Sequence, residues 1–282
     1  MQLQLIVVPY DSGQRGFRMG RGPEHLLEHG LLDSLAAHGA QSDVHTLETS
    51  GDDITSAFDL ARQIAAATVA ARDRGAFPVI LAGNCIASLG GYAGLRSRAA
   101  LVWLDAHADF NTPTTSPSGF LDGMALAVLT GRCYTERSRT LPGFRAVADE
   151  DLVMVGVRAV DPGEEPIVRH VKRARSSREL WAALAQINAP ELYLHIDLDA
   201  LDPTVLIANE FATPRGLTEH TLQDVIATAR SNKKIAALAI TAYDPSADRA
   251  NAGQDIVANI LRAVIAAPLP PASAVDQHSS RP

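Results

Sequence analysis

Six short runs, mostly of continuous Val, Ile, Leu and Ala, punctuate the chain, at residues 3–8, 78–82, 100–104, 152–157, 191–196 and 235–241. Apolar residues follow one another there instead of alternating with polar ones, the pattern of strands buried on both faces. Between the runs lie longer segments of helical period. Across residues 56–74, Leu60, Ile64, Ala67 and Ala71 stand at i, i+4, i+7 and i+11, one stripe of an amphipathic helix that stops at Gly75. Residues 23–38, 178–187, 218–229 and 254–267 read as helices for the same reason. Strands separated by helices require right-handed crossovers, so the expected fold class is α/β: a parallel, doubly wound sheet with helices on both faces. In such a sheet, chemistry is expected beyond the carboxyl ends of the strands.

No internal repeat or linker divides residues 1–267, which read as one domain, whereas residues 268–282, rich in Pro, Ser and Ala, read as a flexible C-terminal tail. The 282 residues are 46% hydrophobic and 20% charged, with 25 Lys and Arg against 32 Asp and Glu. That composition is globular, and the net charge of −7 gives no electrostatic case for nucleic acid as a partner. Charged residues, Gly or Pro interrupt every apolar run short of a membrane span, and the N-terminus lacks the basic and apolar regions of a signal peptide, so a cytoplasmic protein with no membrane partner is expected. Two cysteines, Cys85 and Cys133, make no disulfide framework.

Polar clusters follow two of the predicted strands. After residues 100–104 comes Asp105-Ala-His107-Ala-Asp109-Phe-Asn111, three potential ligands at alternate positions whose oxygen and imidazole donors suit a divalent first-row metal. Alone, this run could equally be a solvated loop. After residues 191–194 comes His195-Ile-Asp197-Leu-Asp199-Ala-Leu-Asp202-Pro203, where Asp197 and Asp199 share one strand face with His195 in line behind them. Alone, that run could be caps and an Asp-Pro turn. Together the two clusters offer five ligands, Asp105, His107, Asp109, Asp197 and Asp199, enough for two ions sharing bridging carboxylates, and neighbouring carboxylates at buried strand ends call for a cation.

A third segment, Ala82-Gly83-Asn84-Cys85-Ile-Ala-Ser88, precedes the first cluster by about one βα unit. These three stretches, in this order, resemble the arginase/agmatinase (ureohydrolase) family, whose pattern reads Gly-Gly-Asp-His-Ser, then Asp-Ala-His-x-Asp, then Asp-x-Asp-x-x-Asp-Pro. Further agreement at Gly20-Arg-Gly22-Pro23, Val155-Gly-Val-Arg158, Gly216-Leu-Thr218 and Tyr243-Asp-Pro245 extends the resemblance over nearly the whole chain. It implies a three-layer arginase-like fold and a binuclear manganese site. In that site Asp105 and Asp197 bridge the ions, Asp109 completes one shell beside position 85, and His107 and Asp199 complete the other. It further implies hydrolysis of a guanidino group by a metal-activated hydroxide, with Asp109 passing a proton to the leaving amine. Asn111 and Ser118 match positions that address an α-carboxylate, and Asp161 and Glu164 match positions near an α-amino group, so the implied partner is a small guanidino amino acid. The family often forms trimers or hexamers, which makes a homo-oligomer an implied assembly.

Three departures bear on the substrate. Cys85 stands where the family has a metal-binding His; thiolate is a soft ligand and Mn²⁺ prefers oxygen and imidazole, so of up to two ions per chain the one served by Cys85 is expected to be weakly held. Asp122 occupies the place of the family's proton-shuttling His, and Ala242 that of a Glu facing the guanidinium. Glu210 either restores that carboxylate or is an exposed loop charge. The cysteine substitution, combined with the retained amino-acid contacts, resembles the branch of the family that cleaves Nω-hydroxy-L-arginine to hydroxyurea and L-ornithine in the biosynthesis of the antibiotic D-cycloserine. The alternatives are arginase or another guanidino-acid hydrolase releasing urea, and a non-catalytic relative that binds metal and amino acid.

Overall fold

The computed structural model describes residues 1–266. The tail expected over 268–282 lies outside the described residues. Eight parallel strands form one sheet: β1 (Gln2–Val8), β2 (Gln41–Thr46), β3 (Phe77–Ala82), β4 (Ala99–Leu104), β5 (Leu152–Val155), β6 (Lys172–Ala174), β7 (Glu191–Asp197) and β8 (Lys234–Thr241), in the order β2-β1-β3-β8-β7-β4-β5-β6. Every residue of β3 and β4 is buried, as their unbroken apolar sequences require.

Alternation along each strand feeds two separate cores. From β1, Leu3, Leu5 and Val7 enter one cluster, while Ile6 and Val8 enter the other. The first cluster packs beneath helices Leu31–Ala37, Ser177–Ala185, Glu219–Asn232 and Gly253–Ile265, through side chains such as Leu35, Leu184, Ile226 and Leu261. The second packs beneath Asp53–Asp73 and Ser88–Ala93, through Phe58, Ile64, Leu89 and Tyr92. Three layers result, helices on both faces of a parallel sheet. The long helix begins where the Asp52 side chain accepts from Thr55 N (2.7 Å), and Gly75 follows its last turn with φ +77°.

The structure departs from the sequence expectation in local ways. The helix expected over 23–38 is two, Gly22–Glu28 and Leu31–Ala37, because Gly30 adopts φ +95° between them. The strand expected over 152–157 stops at Val155, where Gly156 turns the chain with φ +88°. No helix among the described residues is long and apolar enough to cross a membrane.

Candidate active site and metal centre

The polar clusters meet at the carboxyl ends of β3, β4 and β7, near the middle of the sheet. Gly83 leaves β3 pressed against the N-terminal segment; a Cβ there would lie 2.3 Å from the Tyr10 carbonyl oxygen, so only glycine fits, and the chain then delivers Cys85 into the centre. From β4 come Asp105, His107 and Asp109, and from β7 come Asp197 and Asp199. Asp105 Oδ1 accepts from His107 N (2.6 Å), Asp197 Oδ1 from Asp199 N (2.8 Å) and Asp199 Oδ1 from Ala106 N (3.1 Å), so the loops fix their own carboxylates before any ligand is considered. All six expected ligands, Cys85, Asp105, His107, Asp109, Asp197 and Asp199, line one cavity.

The electrostatics of this cluster fit a cation. Asp105, Asp109, Asp197 and Asp199 are all at most 5% exposed. Burial, and then Asp199 and Asp105, hold the Asp197 carboxyl well above the ordinary range; burial and Asp105 do the same to Asp109. Burial works against a charged His107, yet Asp105 and Asp199, 3.4 and 3.2 Å from its Nδ1, keep it protonated up to about 12. Asp109 adds two further signs: its Oδ2 is buried without a hydrogen-bond partner among the described residues, and its backbone sits at φ +53°, a strained conformation for a non-glycine residue. An orphaned carboxylate oxygen, crowded acids and an imidazole drawn positive are what a multivalent ion would relieve. Two donor groups stand close enough to share ions, Asp105 with His107 and Asp199, and Cys85 with Asp105, His195 and Asp197. The Cys85 Sγ–H donates to Asp197 Oδ2 (3.0 Å), and burial followed by the charges of Asp122 and Asp197 raises its pKa well above that of a free thiol.

The expected substrate contacts gather around the same cavity. Asn111 Nδ2 donates to Asp161 Oδ2 (2.8 Å), and both line it, as does the exposed Ser118. Glu164 also lines it, but its two oxygens accept from Phe110 N and Asp161 N (both 2.8 Å), which fixes the loops carrying Asn111 and Asp161. Glu210 is not among the lining residues. Its carboxylate accepts from Arg18 Nη1 (2.7 Å), and the same guanidinium donates to the fully buried Asp11. Sequence reasoning missed the mouth of the cavity, where Phe120 and Phe211 stack with ring centres 5.8 Å apart under the Arg18 guanidinium. It also missed Asn209, whose amide donates to the Ala242 carbonyl (2.9 Å).

Asp122 accepts from Ile86 N (3.0 Å) and Asn84 Nδ2 (3.1 Å), but burial, with the charges of Asp11 and Asp105, pushes it up to about 8. In the unfolded chain the same carboxyl ionises near 3.8. Its stabilising contribution is therefore complete below that value and is lost as pH rises towards 8. With metal chelated, Asp122→Asn is expected to melt above the parent at pH 8 and close to it at pH 4, the gap widening between. Thermal unfolding across that range checks this; a gap constant with pH would show that Asp122 titrates as it does in water.

Comparison with known proteins places this geometry. The family described as Arginase family matches residues 1–267. The arginase of Bacillus caldovelox is 29% identical over 230 residues, covering 72% of this chain and 77% of its own. That of Emericella nidulans is 31% identical over 240 residues, covering 72% and 74%. Among solved structures, Bacillus cereus arginase superposes with a TM-score of 0.84 at 22% identity over 95% of this chain and 99% of its own, which shows a shared fold. With its paired acidic clusters at the carboxyl ends of a parallel sheet, the chain belongs to the arginase family, hydrolases of carbon–nitrogen bonds in linear amidines.

Proposed function

We propose that the chain hydrolyses the guanidino group of Nω-hydroxy-L-arginine, releasing hydroxyurea and L-ornithine, with Mn²⁺ ions held by Cys85, Asp105, His107, Asp109, Asp197 and Asp199. The observation that carries the substrate is Ala242. Its methyl group lines the cavity at the place where the family resemblance puts a guanidinium-facing Glu, and the nearby Glu210 is already paired with Arg18. At position 242 an alanine offers a strongly basic guanidinium no carboxylate, whereas an N-hydroxyguanidine is less basic and depends less on one. Its hydroxyl withdraws electrons and makes the guanidino carbon more electrophilic.

Divalent ions bound at the carboxylates would lower the pKa of a water molecule and stabilise the negative charge that develops as it adds to the guanidino carbon. The bond that breaks joins that carbon to the δ-nitrogen, which leaves as the amine of ornithine and needs a proton. Asp109, whose Oδ2 has no hydrogen-bond partner among the described residues, would take a proton from the attacking water and pass it to that nitrogen. Asp122, whose carboxyl pKa burial raises in the metal-free protein, lines the same cavity and would be the second group there able to hold a proton. Asn111 and Ser118 take the α-carboxylate of the amino acid, and Asp161 with Glu164 supplies negative charge for its α-amino group. The names of the curated relatives favour a second reading, hydrolysis of L-arginine itself to urea.

Side-by-side kinetics on the manganese-loaded protein test the choice. Nω-hydroxy-L-arginine should give hydroxyurea and ornithine with the higher kcat/KM, and equal efficiency on L-arginine would return the chain to the second reading. Agmatine, lacking the α-carboxylate, should be the poorest substrate of all, because the groups proposed to hold that carboxylate would be left unpaired.

A further inference from the structure

His195 is fully buried two residues before Asp197 on β7, hence on the same face of the sheet, one step deeper than the carboxylate. Its ring lies flat on Trp103, with centres 3.5 Å apart and planes 11° from parallel, and Trp103 Nε1 in turn donates to Asp105 Oδ2 (3.1 Å). Nδ1 is 2.8 Å from Ser88 Oγ. The other nitrogen, Nε2, has among the described residues only a long 3.5 Å contact with Thr241 Oγ1. That hydroxyl is itself 3.2 Å from both Cys85 Sγ and Asp197 Oδ2, so Nε2 looks toward the thiol and the carboxylate. One ligand atom each from Cys85, Asp105, His195 and Asp197 fit within 4.8 Å of one another.

We propose that His195 is a metal-binding residue, joining Cys85, Asp105 and Asp197, with Asp109 of the ligand set named above, around the ion on the Cys85 side. This rests on the reading of the cavity as a metal centre and deepens it by assigning the donor that stands in for the imidazole missing at position 85. The arrangement has the two marks of a ligating histidine: one nitrogen engaged by a neighbouring hydroxyl that orients the ring, and the other directed at the donor cluster. The Oδ2 of Asp109, in the same cavity, is likewise buried without a hydrogen-bond partner among the described residues. Sulfur and nitrogen change which ion is preferred. Asp105, His107 and Asp199 suit manganese, while a thiolate with imidazole and carboxylates favours softer ions such as zinc or cobalt over manganese, so of the two Mn²⁺ ions the one on the Cys85 side is the more weakly held.

Cobalt(II) reads this directly, because a cobalt–thiolate bond gives a charge-transfer band in the near ultraviolet. The first cobalt equivalent added to the wild-type protein should raise that band, and His195→Ala should weaken the binding that produces it by at least about tenfold. Equal cobalt affinity in the two proteins would overturn the assignment. Should His195→Ala fail to fold, X-ray absorption of the His107→Ala variant loaded with one equivalent of zinc decides. Sulfur and imidazole scattering in one shell supports His195, and sulfur without imidazole overturns it. Absence of bound metal in every variant and in the wild type would overturn the metal centre as well, whereas sulfur without imidazole leaves that reading standing.

Discussion

Asp197→Asn is expected to lower guanidino hydrolysis by about a thousandfold or more and to strip the protein of most of its metal. The substitution preserves shape and removes one charge from the carboxylate that the Cys85 thiol, Thr241 and the Asp199 amide all engage. A neutral amide at that place is a poor ligand for a cation and balances none of its charge, so a loss of several kcal/mol of transition-state stabilisation is expected. Stability should move the other way. Burial and two acidic neighbours make an ionised Asp197 unfavourable in the metal-free protein, so removing the charge relieves repulsion. The variant should therefore melt above the parent under chelation and gain less from added Mn²⁺, since only ligand bound to the folded state stabilises it. Melting curves with and without Mn²⁺, together with turnover, check both signs. Retained turnover, or a fall in melting temperature alongside lost activity, would remove Asp197 from the centre.

Ala242→Glu is expected to move the preference between L-arginine and Nω-hydroxy-L-arginine towards arginine by about 10–100-fold, the worth of a charge-assisted hydrogen bond of about 1.5–3 kcal/mol to the guanidinium. The backbone at this residue already holds φ +61°, and alanine and glutamate share that strain, so the exchange adds little new backbone cost. Asn209 continues to tie the 242 carbonyl, which keeps the new side chain on the cavity wall. The readout is the ratio of kcat/KM values on the two substrates. A ratio that does not change would mean that Ala242 does not face the guanidino group and does not set the choice of substrate.

The central strands were legible because burial on both faces leaves an unbroken apolar run. The edge strands were not: β2, Gln-Ser-Asp-Val-His-Thr, and β6, Lys-Arg-Ala, each have a neighbour on one side only, and their polar sequences carry no hydrophobic signal. In the cavity, Asp105, His107, Asp109, Asp197 and Asp199 could be read because their alternate spacing places them together locally. His195 was noticed in line with them, but its partners Trp103, Ser88 and Thr241 arrive from three other segments, and nothing in the spacing announces them. Phe120 and Phe211 carried no chemical signature at all until the fold brought them to one mouth. The family resemblance supplied position 242; no local pattern marks an alanine as meaningful.

The sheet order also sets a timetable for synthesis. β8, the last strand, fits between β3 and β7, so until residues 234–241 have left the ribosome the chain holds two separate half-sheets, β2-β1-β3 and β7-β4-β5-β6. The carboxylates from β4 and β7 belong to the second half, while Cys85 hangs from the first. The seam between the halves runs through the ligand cluster, and only the final strand closes it. Such late, long-range pairing makes folding slow and leaves two apolar strand edges open in the meantime. A chain cut short before residue 234 would keep those edges unpaired for good, and its expected fate is aggregation.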